Sequence, residues 1–247
     1  MYRPVFTRQP ESWREWWSAV RAFAAAWYGI AAGEVTGKDP GVLTLEREIG
    51  LTISPSVHEW AAFAADLQRA GIFQRAIRDD FTLGWDPVRD ALRLLTLGEG
   101  DVEWVVVREH LADEDPPVEG LHLDGSDGRV LGTWQHTPTT SEFVLQQLIA
   151  YLDHPGGGFS VDVTPSPEQL DQLRAIGQTS IQLGRQVLIE AEDLFILVGE
   201  SPFTQPDGWN SITVEIGPSR VDSVPEVLSD LARGNGGWFT GKFAESR

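Results

Sequence analysis

The residues most able to do chemistry in this chain are its five histidines, because imidazole is the usual metal ligand and proton carrier near neutral pH. They are His58, His110, His122, His136 and His154. His58-Glu59 opens like the zinc-protease pattern H-E-x-x-H, but position 62, where the second histidine belongs, is alanine. His110, His122 and His136 would make a three-histidine zinc site only if neighbouring strands brought them together with an open coordination position. Ordinary surface or half-buried histidines explain them more simply. Among the acids, Asp113-Glu114-Asp115 could hold a cation or act as a carboxylate pair. Pro116-Pro117 follow at once and hold the backbone extended. A tuned carboxylate pair usually needs burial, and acids on an extended, exposed segment are better placed for contact. Asp124-Gly125-Ser126-Asp127-Gly128 resembles a calcium loop in its first half, yet its twelfth position is Gln135 rather than glutamate. It reads as a hairpin turn. Gly156-Gly157-Gly158 is not followed by lysine and a hydroxyl residue, so it makes no phosphate loop. No G-x-S-x-G elbow is present, and there is no cysteine, which removes disulfides, thiolate nucleophiles and cysteine-bound zinc. The sequence therefore predicts no catalytic residue, no metal and no cofactor.

Charge is more informative. The net charge is −18, and residues 101–171 hold 14 acids against only Arg108 and Arg129. Two thirds of the excess thus lies in under a third of the chain. Such a field repels nucleic acid and anionic membrane and attracts basic surfaces. No apolar run approaches the length of a membrane span, and the N-terminal stretch does not read as a signal peptide. The expected location is the cytoplasm. Arginine outnumbers lysine 17 to 2, a bias of a GC-rich genome.

The elements that carry these residues begin with helices. Ser12 with Glu15 predicts a capped helix whose Trp13, Trp16, Trp17, Val20, Phe23, Ala24 and Trp27 share one face, stopped by Gly29. Leu43 to Ile49 predicts a short helix closed by Gly50. Ser54-Pro55 starts another, with Val57, Trp60, Ala61, Ala64 and Leu67 inward, ended by Gly71. The period then changes. Leu92–Leu97 with Val102–Val107, and Val118–Leu123 with Arg129–Trp134, read as two hairpins. Trp104 and Trp134 are expected in the core. Thr139 with Glu142 caps a helix. His154 to Gly158 is the expected domain boundary. Beyond it, Ser166-Pro167 opens a helix. Strands are expected at Ser180–Leu183, Val187–Glu190, Leu194–Val198 and Ser211–Ile216, then a helix capped by Ser223 and an edge strand at Trp238-Phe239. This order predicts an α+β fold with antiparallel sheet, divided into a domain at 1–155 and a smaller appended α/β module at 156–247.

Three passages resemble the SUKH superfamily, which includes the fungal cell-wall-assembly regulator and many bacterial immunity proteins. They are Glu46 to Trp60, the tryptophan strand Asp101 to Val107 leading to Asp113-Glu114-Asp115-Pro116-Pro117-Val118, and Thr139 to Phe143. The resemblance covers roughly 40–153. It implies a bent antiparallel sheet flanked by helices, and a role in binding and neutralising a toxin, often a nuclease, without catalytic residues.

The charge pattern agrees with a basic protein partner, since nucleases need basic surfaces to hold phosphate and a matching acidic face gains on-rate and selectivity. The residues expected to make that contact are Asp113, Glu114, Asp115, Glu119, Asp124 and Asp127. The alternative expectation is a regulatory or scaffold domain that docks a cellular protein and meets no toxin. An enzyme resting on His110, His122 and His136 is the third.

Overall fold

The computed structural model describes residues 4–31, 33–70, 83–97, 101–151, 158–200, 210–216, 225–234 and 238–240. The fold is α+β, with helices and two open antiparallel sheets. The chain divides into two compact units. One is Pro10–Leu152; the other joins Asp153–Arg247 with Met1–Gln9. The first nine residues, placed with the leading domain on sequence grounds, thus group with the C-terminal segment. Of the predicted boundary His154–Gly158, residues 154–157 lie outside the described residues, and Gly158 begins a strand.

In the unit Pro10–Leu152, local signals set the helix ends. Helix α1 (Trp13–Tyr28) starts where the Ser12 hydroxyl accepts from the Glu15 N–H at 3.3 Å. Only half of the predicted capping box forms, because the Glu15 carboxylate takes the Glu11 N–H instead. Gly29 ends the helix in the left-handed region at φ 67°, where a Cβ would be strained. Helix α2 (Pro40–Ile49) begins three residues before the predicted Leu43. Asp39 caps it, accepting from Gly41 and Val42, and Pro40 sits at its first turn. Ser54 caps α3 (Pro55–Arg69). Residue 71, the predicted end of α3, is outside the described residues.

A five-stranded meander follows: β1 (Gly84–Asp86), β2 (Ala91–Leu97), β3 (Val102–Val107), β4 (Val118–Leu123) and β5 (Val130–Thr137), hydrogen-bonded in that order. Both predicted hairpins are present; the short β1 and a 3₁₀ turn at Arg108–His110 were not predicted. Helix α4 (Thr140–Tyr151) closes the unit, with the Thr139 hydroxyl accepting from the Glu142 N–H.

Aromatic packing joins these layers. Trp17 of α1 meets Phe63 of α3 edge-on at 6.0 Å between centroids, and Trp60 meets Phe143 of α4 at 6.3 Å. Trp104 of β3 lies 5.8 Å from Phe143. Trp104 and Trp134 are both buried, as expected for core residues. Gly120 sits opposite both in the ladder, and its missing side chain makes room for the Trp134 ring: a Cβ there would fall 2.2 Å from ring carbons. The other sheet face holds a smaller cluster of Ala91, Val105, Leu121 and Leu123. On it Arg89 bonds Glu103 at 2.6 Å and the Gly128 carbonyl at 2.8 Å, tying the β1–β2 turn to the β4–β5 turn.

In the second unit the strands are β6 (Gly158–Asp162), β7 (Thr179–Leu183), β8 (Gln186–Ala191), β9 (Leu194–Glu200), β10 (Asn210–Ile216) and β11 (Trp238–Thr240), in spatial order β11-β6-β10-β9-β8-β7. Strand β6 was not predicted. Helices α5 (Pro167–Ile176) and α6 (Glu226–Gly234) lie on one face. There Leu173, Leu228 and Leu231 join Val161, Ile189, Ile196, Ile212 and Val214 in one apolar core. Helix α5 carries a complete capping box between Ser166 and Gln169. Ser223, the predicted cap of α6, is outside the described residues.

Candidate functional site

The six acids singled out by sequence occupy the segment between the 3₁₀ turn and β5. They do not form one patch. Asp113 and Glu114 are exposed in the loop before β4. Asp113 pairs with the Nδ1 of His110 at 2.8 Å, and the Glu114 carbonyl accepts the Ser56 N–H. Glu119 is half-buried in β4, opposite Val105 and Gln135. Asp124 and Asp127 lie in the β4–β5 turn at the far end of that strand. A six-residue strand separates the two groups by about 20 Å.

The turn explains the calcium-like residues. Asp124 accepts from the N–H and the hydroxyl of Ser126, and its backbone closes the turn with Gly128 and Arg129. Those side-chain and backbone bonds from Ser126, with the nearby Arg129, hold the Asp124 carboxyl below the usual carboxylate range. Asp127 is exposed and accepts the Arg129 N–H at 2.9 Å.

Asp115 departs from expectation. It is turned inward, and both carboxylate oxygens are engaged. One accepts from the Ser56 hydroxyl at 2.6 Å and the Ser141 N–H at 3.1 Å; the other accepts from the Ser141 hydroxyl at 2.5 Å. The Ser56 hydroxyl in turn accepts from the indole N–H of Trp17 at 2.7 Å. The Thr140 hydroxyl donates to the Pro116 carbonyl. Asp115 thus pins the first turns of α3 and α4 to the loop before β4, with Trp17 of α1 at the end of the chain of bonds. Burial raises its carboxyl above the ordinary value, outweighing the Ser141 and Ser56 bonds that lower it. Asp115 is half-buried, and with its carboxylate engaged by the Ser56 hydroxyl and by the N–H and hydroxyl of Ser141 it is less open to a partner than the exposed Asp113 and Glu114.

Two further acids belong on the exposed surface, Asp101 in the β2–β3 turn and Glu109 in the 3₁₀ turn. Sequence reasoning missed them, although they lie in the same acid-rich stretch. Its two arginines are already engaged. Arg108 pairs with Asp90 at 2.7 Å, and Arg129 lies 3.6 Å from Asp124. Of the other acids there, Glu103 is covered by Arg89 and Arg93. Exposed Asp101, Glu114 and Asp127 make no ion pair among the described residues.

The four described histidines do not converge, and His154 lies outside the described residues. His110 is with Asp113, His122 is exposed on β4, and His136 is buried with its ring 5.7 Å from Trp104 and 5.8 Å from Phe143. His58 accepts the Asp39 N–H on Nδ1 and lies 3.5 Å from Glu46. Among the described residues no three His, Asp or Glu side chains are grouped to hold a metal ion, and no helix is long and apolar enough to cross a membrane.

No family model matches the chain, and neither a curated protein nor a solved structure matches it significantly.

Proposed function

We propose that this chain is a protein-binding module. Its acidic loop-and-turn surface takes a basic protein partner, and the partner class is a toxin domain that binds phosphate, whose activity the chain blocks as an immunity protein. The observation that carries the reading is the uncompensated charge on the meander unit. Asp101, Glu114 and Asp127 are exposed without an ion pair among the described residues, while both arginines of the stretch are spent on Asp90 and Asp124. Exposed like charges at two ends of a rigid ladder steer a basic partner and select its orientation. The likeness of three passages to the SUKH superfamily supports the toxin as the kind of partner.

The test is co-expression with the product of the adjacent gene, scoring rescue from toxicity and co-purification. The expected result is rescue, with a complex that weakens as salt rises and weakens at least tenfold (about 1.4 kcal/mol) when Asp113 and Glu114 are both changed to Lys. A harmless neighbour that does not co-purify sinks the immunity reading and moves the search to cellular partners by unbiased pull-down. A toxin bound equally well by the charge-reversed chain places the contact elsewhere on the molecule.

A further inference from the structure

Residues 4–9 group with the second unit, and hydrogen bonds to two of its strands hold them there as a bound segment is held. The backbone N–H of Val5 donates to both carboxylate oxygens of Glu190, at 3.1 and 2.9 Å, and the N–H of Phe6 donates to one of them at 3.2 Å. Glu190 is only 1% exposed and Phe6 only 2%. Farther along, the Gln9 carboxamide pairs both ways with the backbone of Gln182: its nitrogen donates to the carbonyl at 3.0 Å and its oxygen accepts the N–H at 2.8 Å. Gln182 lies in β7, an edge strand. One side-chain amide therefore supplies the rung that an added strand would supply, and the edge is guarded against other pairings.

Register identifies the sheet face involved. Glu190 stands opposite Phe195 of β9, and alternates along β8 with Ile189, which belongs to the core under the helices. The helices cover one face; the carboxylate that receives Val5 and Phe6 is on the other. These anchors are of two kinds. The backbone N–H bonds are independent of side chain, while the buried Phe6 and the Gln9 amide read two positions three apart. Main-chain bonds for affinity and spaced side chains for selection are the same division of labour that peptide sites on sheets use. The segment contains no helix or strand, and 184 residues separate Phe6 from Glu190.

We propose that the C-terminal unit carries a peptide-binding site, and that residues 5–9 of this same chain are its ligand in cis. The ligand class is a segment bent so that two successive amide N–H groups reach one carboxylate, with an aromatic at the second of them and a side-chain amide three residues later. Glu190 and the Gln182 backbone are the receiving groups. This inference stands apart from the acidic surface of the other unit and does not depend on it.

The experiment begins with the full chain carrying a protease recognition sequence between Gln9 and Pro10, cleaved after folding. A labelled synthetic peptide of residues 1–11 is then titrated against the cleaved protein. The expected result is that the severed segment stays bound through gel filtration and is displaced by the labelled peptide in a saturable manner. Peptides with Phe6→Ala or Gln9→Ala are expected to bind at least tenfold more weakly, as is the natural peptide to a Glu190→Gln chain. Because the two peptide changes leave the protein untouched, they test the site even if the Glu190 variant fails to fold. Absence of binding by the labelled peptide overturns the proposal, and so does equal binding of the natural and substituted peptides.

Discussion

Asp115 is where a single carboxylate sets the geometry of one unit. It accepts from Ser56 at the start of α3 and from Ser141 at the start of α4, places where unpaired N–H groups favour negative charge. Replacing it with asparagine keeps the shape but trades one acceptor for a donor, facing groups that already donate. Asp115→Asn is expected to cost about 1–3 kcal/mol in denaturant unfolding, the penalty for buried donors left unpaired. The pH dependence has a definite sign. The folded-state pKa of Asp115 is raised above the 3.8 of the free group. The folded protein therefore holds this proton more tightly than the unfolded chain, and the contribution is fully present below the unfolded value and is lost as pH rises through the folded one. The stability gap between wild type and Asp115→Asn should accordingly be widest in acid and narrow as pH rises toward neutrality; a gap that widens instead would show that the ionised form is the better accommodated one. Gly120 makes a second residue-scale case. A Cβ there would overlap the Trp134 ring, so Gly120→Ala is expected to cost about 1–3 kcal/mol by overpacking, with a change in tryptophan fluorescence as that ring is displaced. Neither role was legible from sequence. Asp115 precedes two prolines and looks like an exposed acid, and its partners lie 59 and 26 residues away, where no local pattern points to them.

At the scale of elements, α1 and α3 are joined by a buried ion pair that sequence periodicity hides. Arg21 lies on the otherwise apolar face of α1, 3% exposed, and Glu59 of α3 is fully buried. The Arg21 Nε donates to Glu59 at 2.5 Å and Nη1 to Asp66 at 2.9 Å, while the other Glu59 oxygen takes the N–H groups of Thr36 and Gly37. Removing the arginine alone strands a carboxylate in the interior. Arg21→Met is expected to cost about 3–5 kcal/mol, whereas adding Glu59→Leu should cost less than the sum of the two single changes, since no charge is then left unpaired. A double-mutant cycle in urea reads this directly, and simple additivity would mean that the pair does not act as a unit. The elements themselves were largely legible because their signals are local: Ser12, Ser54 and Ser166 cap helices and Gly29 and Gly50 stop them, and short apolar or β-branched runs mark β3, β8, β9 and β10. What escaped depends on distant pairing. Strand β1 is three residues long and β6 begins in a glycine run; each is defined by the strand beside it rather than by its own composition. The grouping of Met1–Gln9 with the second unit is of the same kind, because a carboxylate at position 190 cannot be read from an N-terminal coil.

For the whole molecule, net charge acts on partners at a distance before any contact forms. The chain carries −18, and on the meander unit the exposed acids stand in two groups at opposite ends of β4. Where the Debye length exceeds their spacing, the two ends act on a partner as one field; where it is shorter, each end is screened from the other. That length is about 30 Å at 0.01 M salt and about 8 Å at 0.15 M, so it passes through the ~20 Å spacing of the two groups in an accessible range. Association with a basic partner should therefore slow by at least tenfold between those salt concentrations, while dissociation changes much less. Charge reversal at one end, Asp113 with Glu114, and at the other, Asp127, should each lower the association rate. Their effects should approach additivity at the higher salt and depart from it at the lower, where the ends share one field. Stopped-flow association of the four chains with the co-purifying partner at the two salt concentrations measures all of this. If rates respond to salt but to neither end, steering comes from the overall charge alone and the meander acids are not the docking surface. If one end carries the whole effect, the partner covers that end and the other serves solubility.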